Sequence, residues 1–272
     1  MHDLDDSISA TIKKMKSLDF DLVVDLHNNI RSKRVSSALK KKTLRVDKRN
    51  IDKWLMVQFK AKKEIPHIAL RYIQTMESIG VGYDDLGLEL DIPARTEKEV
   101  SDTRTLAVAV GAKFGTKKIP ASMLKEIVRW FQGDVILLGG KEDIKTAESL
   151  LVPGRNFRTE NLCGKLSIVE SAQALQSADV LLSGDTGLMH IGAAFKIPIV
   201  SVWGNTVPEF GMFPFFRKDE NFKWSALQAK KLDCRPCSKI GFDQCPKGHF
   251  NCMVSINPET IKEAIVEKLQ FT

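Results

Sequence analysis

Along the second half of the chain, apolar residues fall into short dense runs separated by longer stretches of helical spacing. The runs 106–110, 134–138, 179–182 and 198–203 are almost unbroken Val, Leu, Ile and Ala, as expected for strands buried on both faces of a parallel sheet. Between them, 121–132, 143–151, 168–176 and 188–195 read as helices. Earlier in the chain, 20–26 reads as a strand, 32–39 as a helix, 43–46 as a short strand, and 51–63 and 68–79 as helices, with one further helix before residue 18. Residues 90–104, with Pro93 and many charges, read as a linker, and Asn257 before Pro258 and Glu259 starts a closing helix over 258–270. This alternation predicts an α/β chain with parallel sheets flanked by helices.

The segment 178–204 concentrates the chemistry. A strand, a turn bearing Gly184 and Gly187, a helix and a second strand follow one another without interruption. A turn of this kind at the carboxyl end of a parallel strand points free N–H groups and a helix dipole above the sheet, where an anion such as pyrophosphate is favoured. Asp185, Thr186 and Gly187 form that turn. The alternative for Asp185 is a plain helix cap. His190, one turn into the helix, is either a donor to a phosphate or a satisfied helix histidine. Beyond the Gly139-Gly140 turn, Glu142 or Asp143 is placed to accept ribose hydroxyls.

The string GDTGLMHIGAA followed by P-x-V-x-V-W-G-x-T-x-P resembles the nucleotide-sugar site of the bacterial heptosyltransferases, glycosyltransferase family 9. VVDLHNNIRS at 23–32, VAVGAKFGTKKIP at 108–120, VILLGGKED at 135–143, NLCGKLSIVESAQALQSADVLLSGDTG at 161–187 and the cysteine segment 234–252 extend the resemblance in the expected order. The resemblance implies a GT-B fold, with two Rossmann-like domains of parallel strands facing across a cleft. By that resemblance the N-terminal one is expected to lack its first βαβ portion here, the portion in which the family's proposed general base lies. No catalytic base is therefore assigned, and Asp25 is the first carboxylate to test. The domain expectation is 1–95 for the truncated acceptor side, 96–256 for the donor side and 257–272 for the closing helix. The resemblance further implies Lys117 on a donor phosphate, Gly204, Thr206 and Pro208 on the far wall, and Asn28, Arg31 and Ser32 toward the acceptor. The activity implied is inverting transfer of heptose from ADP-heptose, or a similar nucleotide sugar, to a lipopolysaccharide-core acceptor. The other reading is a nucleotide-sugar or glycan-binding remnant with impaired catalysis. No DxD-like carboxylate pair stands in the donor region, so no metal cofactor is expected for transfer.

Charge adds a partner. Thirteen Lys or Arg fall between Arg31 and Lys63 against Asp47 and Asp52, while the whole chain carries +7. Confined to so short a stretch, that surplus calls for an anionic partner or for solvent. An anionic glycolipid at the inner membrane surface suits the resemblance better than nucleic acid, since no nucleic-acid module is visible and aromatic residues are sparse. With no apolar leader or membrane-length apolar run, the expected location is cytoplasmic with peripheral membrane contact. Cys234, Cys237, Cys245 and Cys252, spaced C-x2-C-x7-C-x6-C with His249 among them, leave three states open: a structural zinc, free thiols or an oxidised pair.

Overall fold

A computed structural model describes residues 7–93, 103–230 and 232–271. The larger part of the chain builds a six-stranded, wholly parallel sheet from β3 (Thr105–Ala109), β4 (Asp134–Leu138), β5 (Thr159–Asn161), β6 (Val180–Ser183), β7 (Ile199–Trp203) and β8 (Trp224–Gln228), in the order β5-β4-β3-β6-β7-β8. Strand order reverses between β3 and β6, and in open α/β sheets the crevice above such a reversal is where ligands bind.

Side chains alternate between two cores. Leu106, Val108, Val135, Leu137, Val180, Leu182, Val200 and Val202 pack on one face with Leu124, Ile127 and Ile261. Ala107, Ile136, Leu138, Leu181, Ile199 and Trp203 pack on the other with Leu175, Met189 and Ala193. Burial on both faces is what the unbroken apolar runs encode. The helices are α5 (Ala121–Trp130), α6 (Ile144–Leu150), α7 (Ile168–Leu175) and α8 (Gly187–Ala194). The closing helix (Pro258–Lys268), capped by Asn257, buries Ile261, Ala264 and Ile265 in the first of these cores.

The preceding part is smaller. A parallel pair, β1 (Leu22–Asp25) with β2 (Lys42–Arg45), is accompanied by helices α1 (Ile8–Lys16), α2 (Ile30–Leu39), α3 (Asn50–Phe59) and α4 (Ile68–Gln74). The helix expected over 51–63 stops at Phe59 because Lys60 is left-handed, with φ 54°. The one expected over 68–79 gives way after Gln74 to a separate 3₁₀ turn, Glu77–Ile79. Strands β5 and β8 were not expected. β5 reads Thr-Glu-Asn and is only half-buried, so it carries no apolar signature. Part of the expected linker, residues 94–102, lies outside the described residues.

The two parts meet through a small cluster of Met56 and Ile65 with Val207 and Phe210. Polar contacts reinforce it. The Ile68 amide donates to the Gly211 carbonyl at 2.8 Å, and Lys60 donates to the Pro236 carbonyl at 2.9 Å.

Candidate active site

Above the reversal, the loop after β3 and the turn after β6 approach so closely that a Cβ on Gly184 would collide with the Lys117 carbonyl. Gly187, by contrast, faces open space. Thr186 caps α8 without a side-chain bond to the helix, its hydroxyl lying 3.0 Å from that of Ser183, so the first-turn N–H groups remain available to an anion. Asp185 is pinned by Lys117 Nζ at 2.7 Å and by the Thr206 hydroxyl, which donates to Oδ2 at 2.9 Å. The sequence-predicted Lys117, Asp185, Thr186, Gly187, His190 and Thr206 thus gather at one end of the sheet. Gly204 stands in the loop after β7, where a Cβ would strike the Thr116 carbonyl and Met253.

His190 is mostly buried, and burial pulls its imidazole below the usual value despite the opposing Asp185 carboxylate. It is therefore neutral at pH 7 and offers one ring N–H. Asp143 and Glu142 divide. Asp143 is buried, accepts from the Gly140 amide at 2.9 Å and pairs with Lys118 at 2.6 Å. Its carboxylate fills the space that a Cβ on Gly111 would need, so it ties the β3 loop to the β4 loop. Glu142 is exposed and lines the cleft, which leaves its carboxylate free to accept hydrogen bonds from a ligand.

The cleft has a volume near 1070 Å³, ample for a nucleotide sugar and part of an acceptor. Its opposite wall differs from the sequence expectation. Asn28 and Ser32 are spent on local structure: Asn28 Nδ2 donates to the Val46 carbonyl, and Ser32 forms a capping box with Asn29 while donating to Asp25. Arg31 is exposed, and none of the three lines the cleft. Asp25 does not line it either. It is 5% exposed and accepts from the amides of His27 and Asn28 and from the Ser32 hydroxyl, which makes it the anchor of this turn rather than a free base.

The wall is instead made by Lys48, Asn50, Lys53, Ile68, Arg71 and Tyr72. Burial, reinforced by Arg71, Lys239 and Lys48, pulls the Lys53 ammonium down to about 8. Arg71 is buried, spends Nε and Nη1 on the Pro66 and Asp47 carbonyls, and leaves Nη2 without a hydrogen-bond partner among the described residues. Among the described residues, six cationic side chains line the cleft against the carboxylates Glu142, Asp143 and Asp185, so the site as a whole favours anions. Lys48 and Lys53 belong to the basic run visible in the sequence. Arg71 and His67 carried no such signal, because their place depends on how the two parts dock. His67 is held neutral: Nε2 lies 2.7 Å from the Phe213 carbonyl, Nδ1 accepts from the Ala69 amide, and burial pulls its pKa down to about 4.

The five cysteines are free. Cys234 Sγ lies 4.0 Å from His249 Nε2, and burial pushes the Cys237 and Cys252 thiols up to about 11. Among the described residues no group of three or more Cys, His, Asp or Glu is gathered tightly enough to hold a metal.

Three comparisons bear on this geometry. Lipooligosaccharide heptosyltransferase 2 of Campylobacter jejuni is 26% identical over 220 residues, which span 76% of this chain and 66% of that protein. The chain thus spans just under two thirds of the length of the curated relatives it matches most extensively. A glycosyl transferase family 9 structure from Veillonella parvula superposes with a TM-score of 0.73 at 19% identity, covering 98% of this chain and 79% of that one. The ADP-heptose LPS heptosyltransferase II of E. coli gives 0.63 at 17%, covering 97% and 81%. The fold is accordingly GT-B, two units of parallel strands facing across a cleft. The profile of glycosyltransferase family 9 (heptosyltransferase) matches residues 8–239, and the chain belongs to that family.

Proposed function

We propose that the chain transfers heptose from ADP-heptose to an anionic, lipopolysaccharide-core type acceptor, with inversion and without a divalent metal. One observation carries the reading: the anion site of Lys117, Asp185 and Thr206 at the start of α8 faces a cationic wall formed by Lys53 and Arg71 across one cleft. The pyrophosphate lies over the α8 N-terminus, Lys117 turns from Asp185 to a phosphate oxygen, and the His190 ring N–H donates to the same group. Glu142 takes the ribose hydroxyls. Charge developing on the departing diphosphate meets fixed dipoles and an ammonium, which is the electrostatic share of the catalysis. An acceptor hydroxyl attacks the anomeric carbon from the face opposite the diphosphate as the anomeric C–O bond to the diphosphate breaks, the hydroxyl proton passing to solvent, while Lys53 and Arg71 hold an acidic group of the acceptor.

Contact with a membrane belongs to the same reading. Ile51, Trp54 and Phe59 lie exposed along the helix Asn50–Phe59, with Lys60, Lys62 and Lys63 following, as in helices that rest on anionic lipid. Among the described residues, no helix is long and apolar enough to cross a membrane. For the cysteine segment, a structural zinc is held as a proposal alongside free thiols, to be tested by metal analysis of the purified protein.

A second reading, donor binding with little transfer, is favoured by one observation: among the described residues, the carboxylates lining the cleft all come from the larger unit, and none from the acceptor wall. A coupled assay of ADP release, with ADP-heptose and a Kdo-lipid A acceptor, separates the two. Acceptor-dependent release supports transfer. ADP binding without release supports the second reading.

A further inference from the structure

The stretch after β8 returns across the end of the larger sheet and grips two of the three loops that carry the anion site, those after β7 and β3. Arg235 donates Nε to the Gly204 carbonyl at 2.6 Å and Nη2 to the Thr206 carbonyl at 3.0 Å. Between them, the Cys237 amide donates to the Asn205 carbonyl at 3.2 Å. Three successive carbonyls of the loop after β7 are therefore satisfied by residues 235–237. Such a loop, with Asn205 and Thr206 both buried, needs these donors. A planar guanidinium supplies two of them in a fixed geometry that an ammonium cannot copy.

A few residues on, the same stretch holds the other loop. The Phe242 carbonyl accepts from both the amide and the hydroxyl of Thr116, and the Phe242 amide donates to that hydroxyl. Thr116 precedes Lys117, and Thr206 presents its hydroxyl to Asp185. Arg235 does not line the cleft, so whatever it does for the ligand it does through this chain of contacts.

We propose that Arg235 is a positioning residue for the donor site: by fixing the Gly204 and Thr206 carbonyls it aims the Thr206 hydroxyl at Asp185, and Asp185 in turn presents Lys117 to phosphate. This rests on the donor reading above. The test uses the full chain with Arg235→Lys, Arg235→Gln, Thr206→Val and the Arg235→Lys/Thr206→Val double variant. ADP affinity is measured by calorimetry, and amide exchange is followed without ligand. Each single variant weakens ADP binding about tenfold, the scale of one lost hydrogen bond, with Lys nearer to wild type than Gln. The double variant is no weaker than its worse parent, because both changes break one chain of contacts. Exchange rises at 203–207 and also at 184–190. Additive losses, or affinity unchanged in both Arg235 variants, overturn the proposal. Should wild type itself bind no ADP, the donor reading falls and exchange decides alone. Faster exchange spreading to 184–190 then shows that Arg235 orders the Asp185 turn whatever anion that turn takes, and exchange confined to 233–238 overturns even that. Arg235→Gln serves if Arg235→Lys does not fold.

Discussion

The four central strands of the larger unit are buried on both faces, so that Leu106, Leu137, Leu182 and Val202 are wholly out of water, whereas the paired strands of the smaller unit bury only Asp25 and leave Leu22, Val23, Val24 and Leu44 half-buried. The two walls of the cleft inherit this difference. Lys117, Asp185 and Thr206 sit on loops that leave a close-packed sheet and touch one another. Lys53 and Arg71 sit on helices of a two-stranded unit that reaches the rest through Met56, Ile65, Val207 and Phe210 and a handful of hydrogen bonds. Under the proposed transfer, a close-packed donor wall facing a more sparsely packed acceptor wall suits a small donor and a large glycolipid acceptor.

Core substitutions expose the contrast most strongly. Leu182→Ala lowers unfolding free energy by about 2–5 kcal/mol, the usual range for a buried leucine, while Trp54→Ala stays within about 0.5 kcal/mol, both read by denaturant titration. Comparable losses at the two positions would erase the distinction between the units.

The seam between them is sensitive to acid. His67 ionises near 6.5 in the unfolded chain and near 4 in the folded one, so the unfolded state binds the proton first as pH falls. Stability is complete above about pH 6.5 and declines toward pH 4, by at most about 3 kcal/mol from this group. His67→Gln flattens that part of the curve, which thermal melts at successive pH values would register.

Smaller effects follow on the acceptor side. Arg71→Ala or Lys53→Met raises acceptor KM about tenfold, as expected for a lost charge-assisted hydrogen bond, and leaves ADP affinity unchanged. In the wild type, acceptor KM climbs as pH passes about 8, where Lys53 gives up its proton. Smallest of all is the lipid contact. Trp54→Ser with Phe59→Ser reduces co-sedimentation with anionic vesicles a few-fold, and unchanged binding would remove the membrane reading of this helix.

The same contrast decides what could be read from the sequence. Strands β3, β4, β6 and β7 announce themselves as unbroken apolar runs because both faces are buried, and the Asp185 turn follows from its glycines between a strand and a helix. β5 escaped because its three residues are polar and half-buried, so pairing with β4 rather than composition makes it a strand. The resemblance and the local charge single out Arg31, yet it is Arg71, forty residues further on, that lines the cleft. Only the docking of Ile68–Gln74 against Gly211 and Phe213 places that guanidinium, and no local pattern encodes such a contact. Asp143 shows the same limit: an acidic residue after a Gly-Gly turn suggests ribose, but burial against Gly111 and Lys118 commits it to holding two loops together.

The central claim, that the larger unit alone holds the donor through the α8 turn, is tested most directly by calorimetric titration of ADP into wild type, Lys117→Ala and Lys53→Met. Lys117→Ala loses the ammonium on the phosphate and leaves Asp185 facing the anion, so its affinity falls about thirtyfold or more while Lys53→Met matches wild type. Absence of ADP binding to the wild type, or equal losses in the two variants, would contradict the account.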